Sequence, residues 1–460
     1  MKQTKNLYLR TFGCQMNERD SEIICSLMID EGYQPVSSPD EAGLIIYNTC
    51  SVRKHAEDRV WGNLGVLKKL KTNKSPIIGL VGCMGKAHGK DIFKKLPHMD
   101  FVCGPANIYD IPNLVDKISQ GERYLVSIDN EKRPLSSNSN HSYGQIRAFV
   151  NIVEGCNNFC SYCIVPFVRG REVSRKAKDI IDEVKQLVDN GTKEITLLGQ
   201  NVNSYKIADR DCHAPSRLAM TLLNTKTSNF IQLLEKINNI KGLKRIRFMT
   251  AHPKDANPDL FKAMCNLDKV CEHLHLPLQS GSDKILKLMN RNYTVLHYLK
   301  LAESFKKLMP EATISTDIIV GYPSETDKDF MDTYMLMKNT GFNSSFIFKY
   351  SPRPFTKASS LEDDVEKGTK EVRNQVLLNL QNEMTTKKHE ALVGGIQQSL
   401  GIRAAKRTPQ SSIDTESFYI KGRTRGNSQV VYKADKSLLG EEAFVKIKDI
   451  EQNTLIGELV

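Results

Sequence analysis

The sequence predicts an α/β protein of three parts: an N-terminal parallel-sheet domain over residues 1–130, a central partial (β/α)6 barrel over 145–385 and a small C-terminal antiparallel β-barrel over 386–460. Three observations predict it. Apolar strand-like runs alternate with amphipathic helical runs up to about residue 350, the rhythm of βαβ units and a parallel sheet. The second stretch of that rhythm carries six strand candidates, too few to close an eight-stranded barrel. From about residue 390 the chain changes to short alternating strands punctuated by Gly and Asn, the pattern of a small β-barrel.

In the first part "LYLRTFGC" precedes the helical "NERDSEIICSLMIDEG", "AGLIIYNTC" precedes "AEDRVWGNLGVLKKLK", and "SPIIGLVGC" precedes "HGKDIFKKLP". Residues 131–144, polar and rich in Ser and Asn, are expected to be a linker. The barrel strands are "AFVNIVEG", "EITLLG", "RIRFMT", "HLHLPL", "TISTDIIVGY" and "SSFIFKYS". Helical runs such as "DIIDEVKQLVDNG" and "NFIQLLEKINNIKG" separate them, and "IADRDCHAPSRLAMTLLNTKTS" is an irregular insertion. The prolines and acids of "SPRPFTKASSLEDDVEKG" end the rhythm, and a helix follows before the terminal strands.

At 40% hydrophobic and 26% charged over 460 residues, the composition is that of a folded globular chain and excludes intrinsic disorder. No run of eighteen apolar residues is present, so no membrane span is expected. The N-terminal residues lack an apolar core and a small-residue cleavage site, so a cytoplasmic location is expected. There the eleven cysteines stay reduced, and their odd number argues against a disulfide framework. The net charge of +12 suits a polyanionic partner such as RNA.

"GCNNFCSYCIVP", residues 155–166, places Cys156, Cys160 and Cys163 just after the first barrel strand, on the face where barrel enzymes keep their chemistry. Structural zinc needs a fourth ligand, and His141 and His213 are both remote in sequence. A redox C-x-x-C would use Cys160 and Cys163 and leave Cys156 idle. A [4Fe–4S] cluster held by three thiolates uses all three and leaves one iron open to a small molecule.

Cys14, Cys50 and Cys83 form a second trio. They are spaced by 36 and 33 residues, the length of one βαβ unit, and each ends an apolar strand. Strand C-termini of a parallel sheet share one edge, so the three are expected to converge there and hold a second cluster with an open iron. Cys103 also follows a strand and is read as structural; Cys25, Cys212, Cys265 and Cys271 are assigned to packing or surface.

The C-x3-C-x2-C spacing, with Phe159 before its second cysteine, resembles the radical S-adenosylmethionine (SAM) superfamily. From about residue 6 to the C-terminus the chain resembles that superfamily's methylthiotransferases, which have a three-cysteine N-terminal domain, a partial barrel and a C-terminal TRAM β-domain. "NTCSVRKHAE", "RGREVSR", "LLGQNVNSY", "HLHLPLQSGSD" and "YSPRP" are similar to the branch acting on isopentenylated (dimethylallyl) adenosine beside the tRNA anticodon. "GCMGKAHGK" departs from the family by lacking Ala-Gln after Cys-Met, and Ser324 stands where Gly is usual.

The resemblance implies transfer of a methylthio group to C2 of that adenosine. It further implies two [4Fe–4S] clusters, two SAM per turnover (methyl donor and radical source), a tRNA partner and an external one-electron donor; the sulfur source stays open. A radical is the reagent such a reaction needs, since general acid–base help contributes only about 10²–10⁴-fold and does not activate a non-acidic C–H bond. Two alternatives stay open: a methylthiotransferase for threonylcarbamoyl-adenosine or a ribosomal-protein aspartate, and a non-enzymatic RNA-binding protein stabilised by zinc.

By the same resemblance Phe159, Gly199, Gln200, Gln279, Ser280 and Gly321 are candidates for the SAM pocket. His273 and His275 share one strand face, continued by Gln279, as polar lining of the barrel or as an H-x-H metal site. Arg169 and Arg171 are candidates for RNA phosphate or the SAM carboxylate, with a solvated basic turn as the alternative. In the last part Arg403, Lys406, Arg407, Lys421, Arg423 and Arg425 outnumber Asp414 and Glu416 and interleave with Phe418, Tyr419 and Tyr432, a composition suited to RNA backbone and unstacked bases. "GCMGKAHGK" is not a phosphate loop: its glycines are misspaced and Asp91 follows Lys90.

Overall fold

A computed structural model describes residues 5–51, 54–129, 145–207, 228–405 and 418–460. The linker 131–144, most of the insertion, and His141, Cys212, His213, Lys406, Arg407, Asp414 and Glu416 lie outside the described residues.

The N-terminal sheet has six parallel strands, β1 (Asn6–Thr11), β2 (Gln34–Pro35), β3 (Leu44–Thr49), β4 (Ile77–Gly82), β5 (Phe101–Cys103) and β6 (Leu125–Ser127), in the order β2-β1-β3-β4-β5-β6. β3 and β4 are buried at every residue, which is why they read as unbroken apolar runs: helices cover both faces. Alternate side chains feed two cores, Leu44 and Ile46 with Leu7 and Val81 on one face, Ile45 and Tyr47 with Ile78 and Leu80 on the other.

The central strands are β7 (Arg147–Asn151), β10 (Glu194–Leu198), β11 (Arg245–Phe248), β12 (His273–His275), β13 (Thr313–Val320) and β14 (Ser344–Lys349). They run parallel in two ladders, β7-β10-β11 and β12-β13-β14, joined by a parallel bridge between Ile246 and Val270. This is an open six-stranded barrel, as expected from the six apolar runs. The helix Lys367–Glu390 lies along the free edge strand β14, with Gln381 accepting from Ser345 Oγ and Asn374 donating to the Ile347 carbonyl. Two short strands, β8 (Val153–Glu154) and β9 (Val173–Ser174), pair antiparallel and pinch the cysteine loop between them at its base.

The C-terminal strands β15 (Ile396–Ala404), β16 (Tyr419–Thr424), β17 (Gln429–Lys433), β18 (Glu442–Glu451) and β19 (Thr454–Leu459) close a barrel in the order β15-β16-β17-β19-β18. Four of its pairings are antiparallel and β17–β19 is parallel. This barrel docks on the N-terminal ends of the central strands. Arg245, the first residue of β11, donates to Glu442 and to the carbonyls of Arg423 and Gln398; Arg247 donates to the carbonyls of Thr424 and Arg425; Thr313 Oγ1 donates to the Gly426 carbonyl. Arg247 and Glu194 form a buried ion pair at 2.8 Å. Removing one partner of such a pair costs about 3–5 kcal/mol, so the plug at this end of the barrel is firmly specified.

Candidate active site

The pairing Thr11↔Asn48 and Thr49↔Gly82 sets the C-terminal ends of β1, β3 and β4 level, so the sheet itself assembles the second trio. Cys14 caps the helix Gln15–Asp30, Cys50 follows β3, and Cys83 opens the helix Cys83–His88. Gly13 adopts φ +138° and a Cβ there would lie 2.4 Å from the Cβ of Cys50, so only glycine lets the two turns approach this closely. Asn17 donates to Asn48 Oδ1 (3.0 Å) and the Thr49 carbonyl (3.1 Å), and Asn48 donates back to the Asn17 carbonyl (2.8 Å), fixing the turns to each other. A hydrogen bond with Cys50 brings the Cys14 thiol down to about 6 against the opposing effect of burial, with the Arg169 guanidinium assisting. Burial pushes Cys83 up, and Arg169 opposes it.

The first trio lies in the loop between β8 and β9. Gly155 takes φ +76°, and a Cβ there would lie 2.3 Å from the Arg171 carbonyl oxygen. The loop is held by Cys156 N–H to the Gly170 carbonyl (3.2 Å), Cys163 N–H to the Cys160 carbonyl (2.9 Å) and Ser161 N–H to the Met289 carbonyl (3.1 Å). Ser161 Oγ also donates to the Leu288 carbonyl, and Asn290 Nδ2 donates to the Phe159 carbonyl. Arg291, buried, donates to the Pro277 carbonyl at 2.8 Å and reaches Cys160 Sγ at 3.5 Å. Burial pushes the Cys163 thiol up to about 12, and neighbouring Cys160 adds to this.

Zinc needs its ligands about 2.0–2.3 Å from one ion. Among the described residues no three His, Cys, Asp or Glu side chains, the two thiol trios included, come together as closely as that. Three thiols on a loop whose backbone is closely specified are a donor set of the kind an iron–sulfur cluster takes.

The trios meet at one junction. Cys83 packs against Ile164 and Val168, one and five residues after Cys163. Three buried ionic contacts tie the N-terminal sheet to the barrel around them. Arg169 pairs with Asp20 at 2.6 Å; Glu183 takes Arg19 at 3.0 Å and Arg175 at 2.6 Å; Arg353 pairs with Glu57 at 2.9 Å, and Glu57 also holds His88 at 2.6 Å. Arg169 is therefore no phosphate contact: its side chain is 5% exposed and faces Asp20 and the second trio. Arg171 is exposed and stacks 4.2 Å above the Phe159 ring.

Of the SAM candidates, Gln200 has a buried Oε1 with no protein hydrogen-bond partner among the described residues. So do Asn151 Oδ1, both side-chain atoms of Asn203, and His252 Nε2, at or just beyond the C-terminal ends of β7, β10 and β11. Buried polar atoms are normally paired, so this group of orphans at adjoining strand ends fits a polar ligand such as SAM. Gly199 packs between Val153 and Val202 beside the cysteine loop. Gln279, at φ +75°, pairs its backbone with Asp317 and Ile319. Ser280 and Gly321 are accounted for by the protein: Ser280 Oγ accepts from Ser282 N–H, and Gly321 donates its N–H to Glu325 and is crowded by the Lys370 stem. His273 and His275 each contact Ser315 Oγ at 2.9 Å, and burial holds His273 well below the usual histidine range.

In the C-terminal barrel Arg403 pairs in register with Lys421 and is exposed. Two other cations expected to face RNA do not. Arg425 binds Glu272 through both carboxylate oxygens, and Arg423, pushed down to about 10 by burial and by Arg147 and Arg247, donates to Asn427 in the docking interface. Tyr432 is fully buried in the barrel core, whereas Phe444, 59% exposed, is an aromatic the composition did not single out although its alternation with Ala443 and Val445 marks an outward position. Arg291, His252, Asn203 and the Arg353–Glu57 pair were likewise not anticipated as site residues; "YSPRP" and "NTCSVRKHAE" contain the last two.

Residues 6–104 match the description Uncharacterized protein family UPF0004, and residues 150–337 match the Radical SAM superfamily. The chain is 41% identical to the tRNA-2-methylthio-N(6)-dimethylallyladenosine synthase of Moorella thermoacetica, covering all of this chain and 99% of that protein. The same-named protein of Geobacter sulfurreducens is 42% identical over all of this chain and 98% of its own length, and that of a Thermoanaerobacter species 43% over 99% and 93%. Among solved structures, the fold is similar to the radical S-adenosylmethionine methyltransferase TsrM from Kitasatospora setae, with a TM-score of 0.55 and 12% identity over 77% of this chain and 74% of that one.

Proposed function

The chain belongs to the tRNA-2-methylthio-N6-dimethylallyladenosine synthases of the radical SAM superfamily, and from that membership we propose how its residues divide the work. The protein is a transferase that converts dimethylallyladenosine in tRNA to its 2-methylthio derivative, using SAM and a [4Fe–4S] cluster. In our reading Cys156, Cys160 and Cys163 hold that cluster, and Cys14, Cys50 and Cys83 hold a second. Bound at these sites, SAM and the first cluster would supply a hydrogen-abstracting radical, given an electron from an external donor, and the second cluster would hold the sulfur to be added, whose source stays open.

The protein's own part is placement. Arg291 holds its guanidinium 3.5 Å from Cys160 Sγ, facing a cluster ligand with a positive charge. Gln200, Asn203 and His252 offer polar atoms to SAM at the strand ends. The ion pairs of Asp20, Glu183 and Glu57 hold the segments that carry the two trios against each other, which would let an adenine unstacked from the anticodon loop meet both. The observation that carries this reading is the packing of Cys83 on Ile164 and Val168, which brings the two thiol-bearing segments into contact. The enzyme works where its tRNA is, in the cytoplasm; among the described residues no helix is long and apolar enough to cross a membrane.

Mass spectrometry of tRNA from a strain lacking the chain tests the substrate. Dimethylallyladenosine is expected to accumulate, its methylthio derivative to vanish, and the wild-type chain to restore it. An unchanged methylthio derivative, or a loss confined to threonylcarbamoyl-adenosine or to a ribosomal-protein aspartate, would reject the assignment.

RNA contact by the C-terminal barrel falls to Arg403 and Lys421. Changing both to Ala is expected to weaken tRNA binding several-fold and to flatten the dependence of log Kd on log salt by about one unit per lost phosphate contact. An unchanged salt slope in a filter-binding titration would remove these two residues from the interface.

A further inference from the structure

Phe159, Phe167 and Phe355 form a continuous aromatic strip that begins in the loop of the first trio. The ring of Phe167 lies 6.2 Å from that of Phe159, edge-on, and 6.2 Å from that of Phe355. Phe355 is 61% exposed and Phe167 37%, so the strip presents apolar surface to solvent instead of burying it. Two of the three rings stand on left-handed backbone, Phe159 at φ +47° and Phe355 at φ +69°, a conformation bulky residues rarely adopt. Strain of this kind persists where surrounding structure enforces it, and it gathers at ligand-binding segments.

Here the enforcement is visible. Thr356 N–H donates to the Arg353 carbonyl, and Ala358 N–H donates to the Ser161 carbonyl inside the first cysteine loop. Arg353 in turn pairs with Glu57 next to the second trio. The strip is thereby tied to segments of both thiol sites: Phe159 lies within the first trio, Phe167 precedes the Val168 that packs on Cys83, and Phe355 lies two residues beyond Arg353. The Arg171 guanidinium sits over the outer ring, Phe159.

We propose that this strip recognises the target nucleoside, with Phe167 and Phe355 taking the branched dimethylallyl tail and Arg171 meeting an adjoining phosphate. This rests on the reading that the base enters between the trios. The chemistry matches: an apolar five-carbon tail on a planar base meets exposed rings, next to a cation that an anionic backbone satisfies. Burial of a single methylene gives about tenfold discrimination or more, so the whole tail suffices to separate modified from unmodified adenosine.

The test uses the full chain and two anticodon stem-loop RNAs that differ only in the dimethylallyl group, with Kd read by fluorescence anisotropy. The wild-type chain is expected to favour the modified RNA at least tenfold. Phe355→Ala and Phe167→Ala are expected to bring the ratio of the two Kd values close to one by weakening the modified RNA alone, and Phe355→Leu to retain part of it. Because both Kd values come from one preparation, a fraction of unfolded protein cancels in the ratio. A wild-type ratio near one, a ratio that survives both alanine variants, or a changed affinity for SAM with an unchanged RNA ratio would each overturn the proposal. Failure of the underlying reading is separate, and shows as no methylthiolated product from either RNA with the wild-type chain.

Discussion

Cys160→Ala is expected to abolish methylthiolation, to abolish 5′-deoxyadenosine formation from SAM, and to lower bound iron by about four atoms per chain, one cluster's worth. Loss of a third of the thiolates at this site is not a graded defect. Acid–base catalysis contributes about 10²–10⁴-fold, so the side chains that remain have no way to open a C–H bond without acidity once radical formation stops. The same substitution leaves Arg291 buried without the sulfur it faces at 3.5 Å, which raises the cost further. Anaerobic reconstitution, iron analysis and product detection by mass spectrometry check all three outcomes. Retention of 5′-deoxyadenosine formation would refute the assignment of this loop.

Cys50→Ala is expected to give a different pattern. Iron again falls by about four atoms per chain, and methylthio product disappears, but 5′-deoxyadenosine is still formed. The reason is spatial. Cys50 ends β3, is 1% exposed, and is the hydrogen-bond partner that lowers the Cys14 thiol. Its removal disables the sulfur site, while the loop of Cys156, Cys160 and Cys163 keeps its own backbone hydrogen bonds to Gly170 and Met289. Sulfur insertion surviving in this variant would show that the N-terminal trio is structural.

Much of this was legible in the chain because its signals are local. A cysteine ending an apolar run needs only the parallel-sheet rule to be placed at a shared edge, and three thiols within eight positions declare themselves. What escaped notice depends on partners remote in sequence. Arg353 and Glu57 are 296 residues apart, Arg169 and Asp20 149, and Arg291 and Cys160 131. No periodicity links them. Arginine also reads the same whether solvated or docked, which is why Arg423 and Arg425 resembled RNA contacts until Asn427 and Glu272 appeared beside them. The parallel β17–β19 pairing was hidden for a related reason, since hairpin signals describe only neighbours in sequence.

The seat of the C-terminal barrel on the N-terminal ends of the central strands sets a length. The thiols lie at the opposite ends, and β13 alone has eight residues, roughly 26 Å of extended chain before tilt is allowed for. An RNA that grips Arg403 and Lys421 while delivering a base to the cleft must bridge most of that span. The length of the barrel strands thereby sets the separation between the two ends of the molecule.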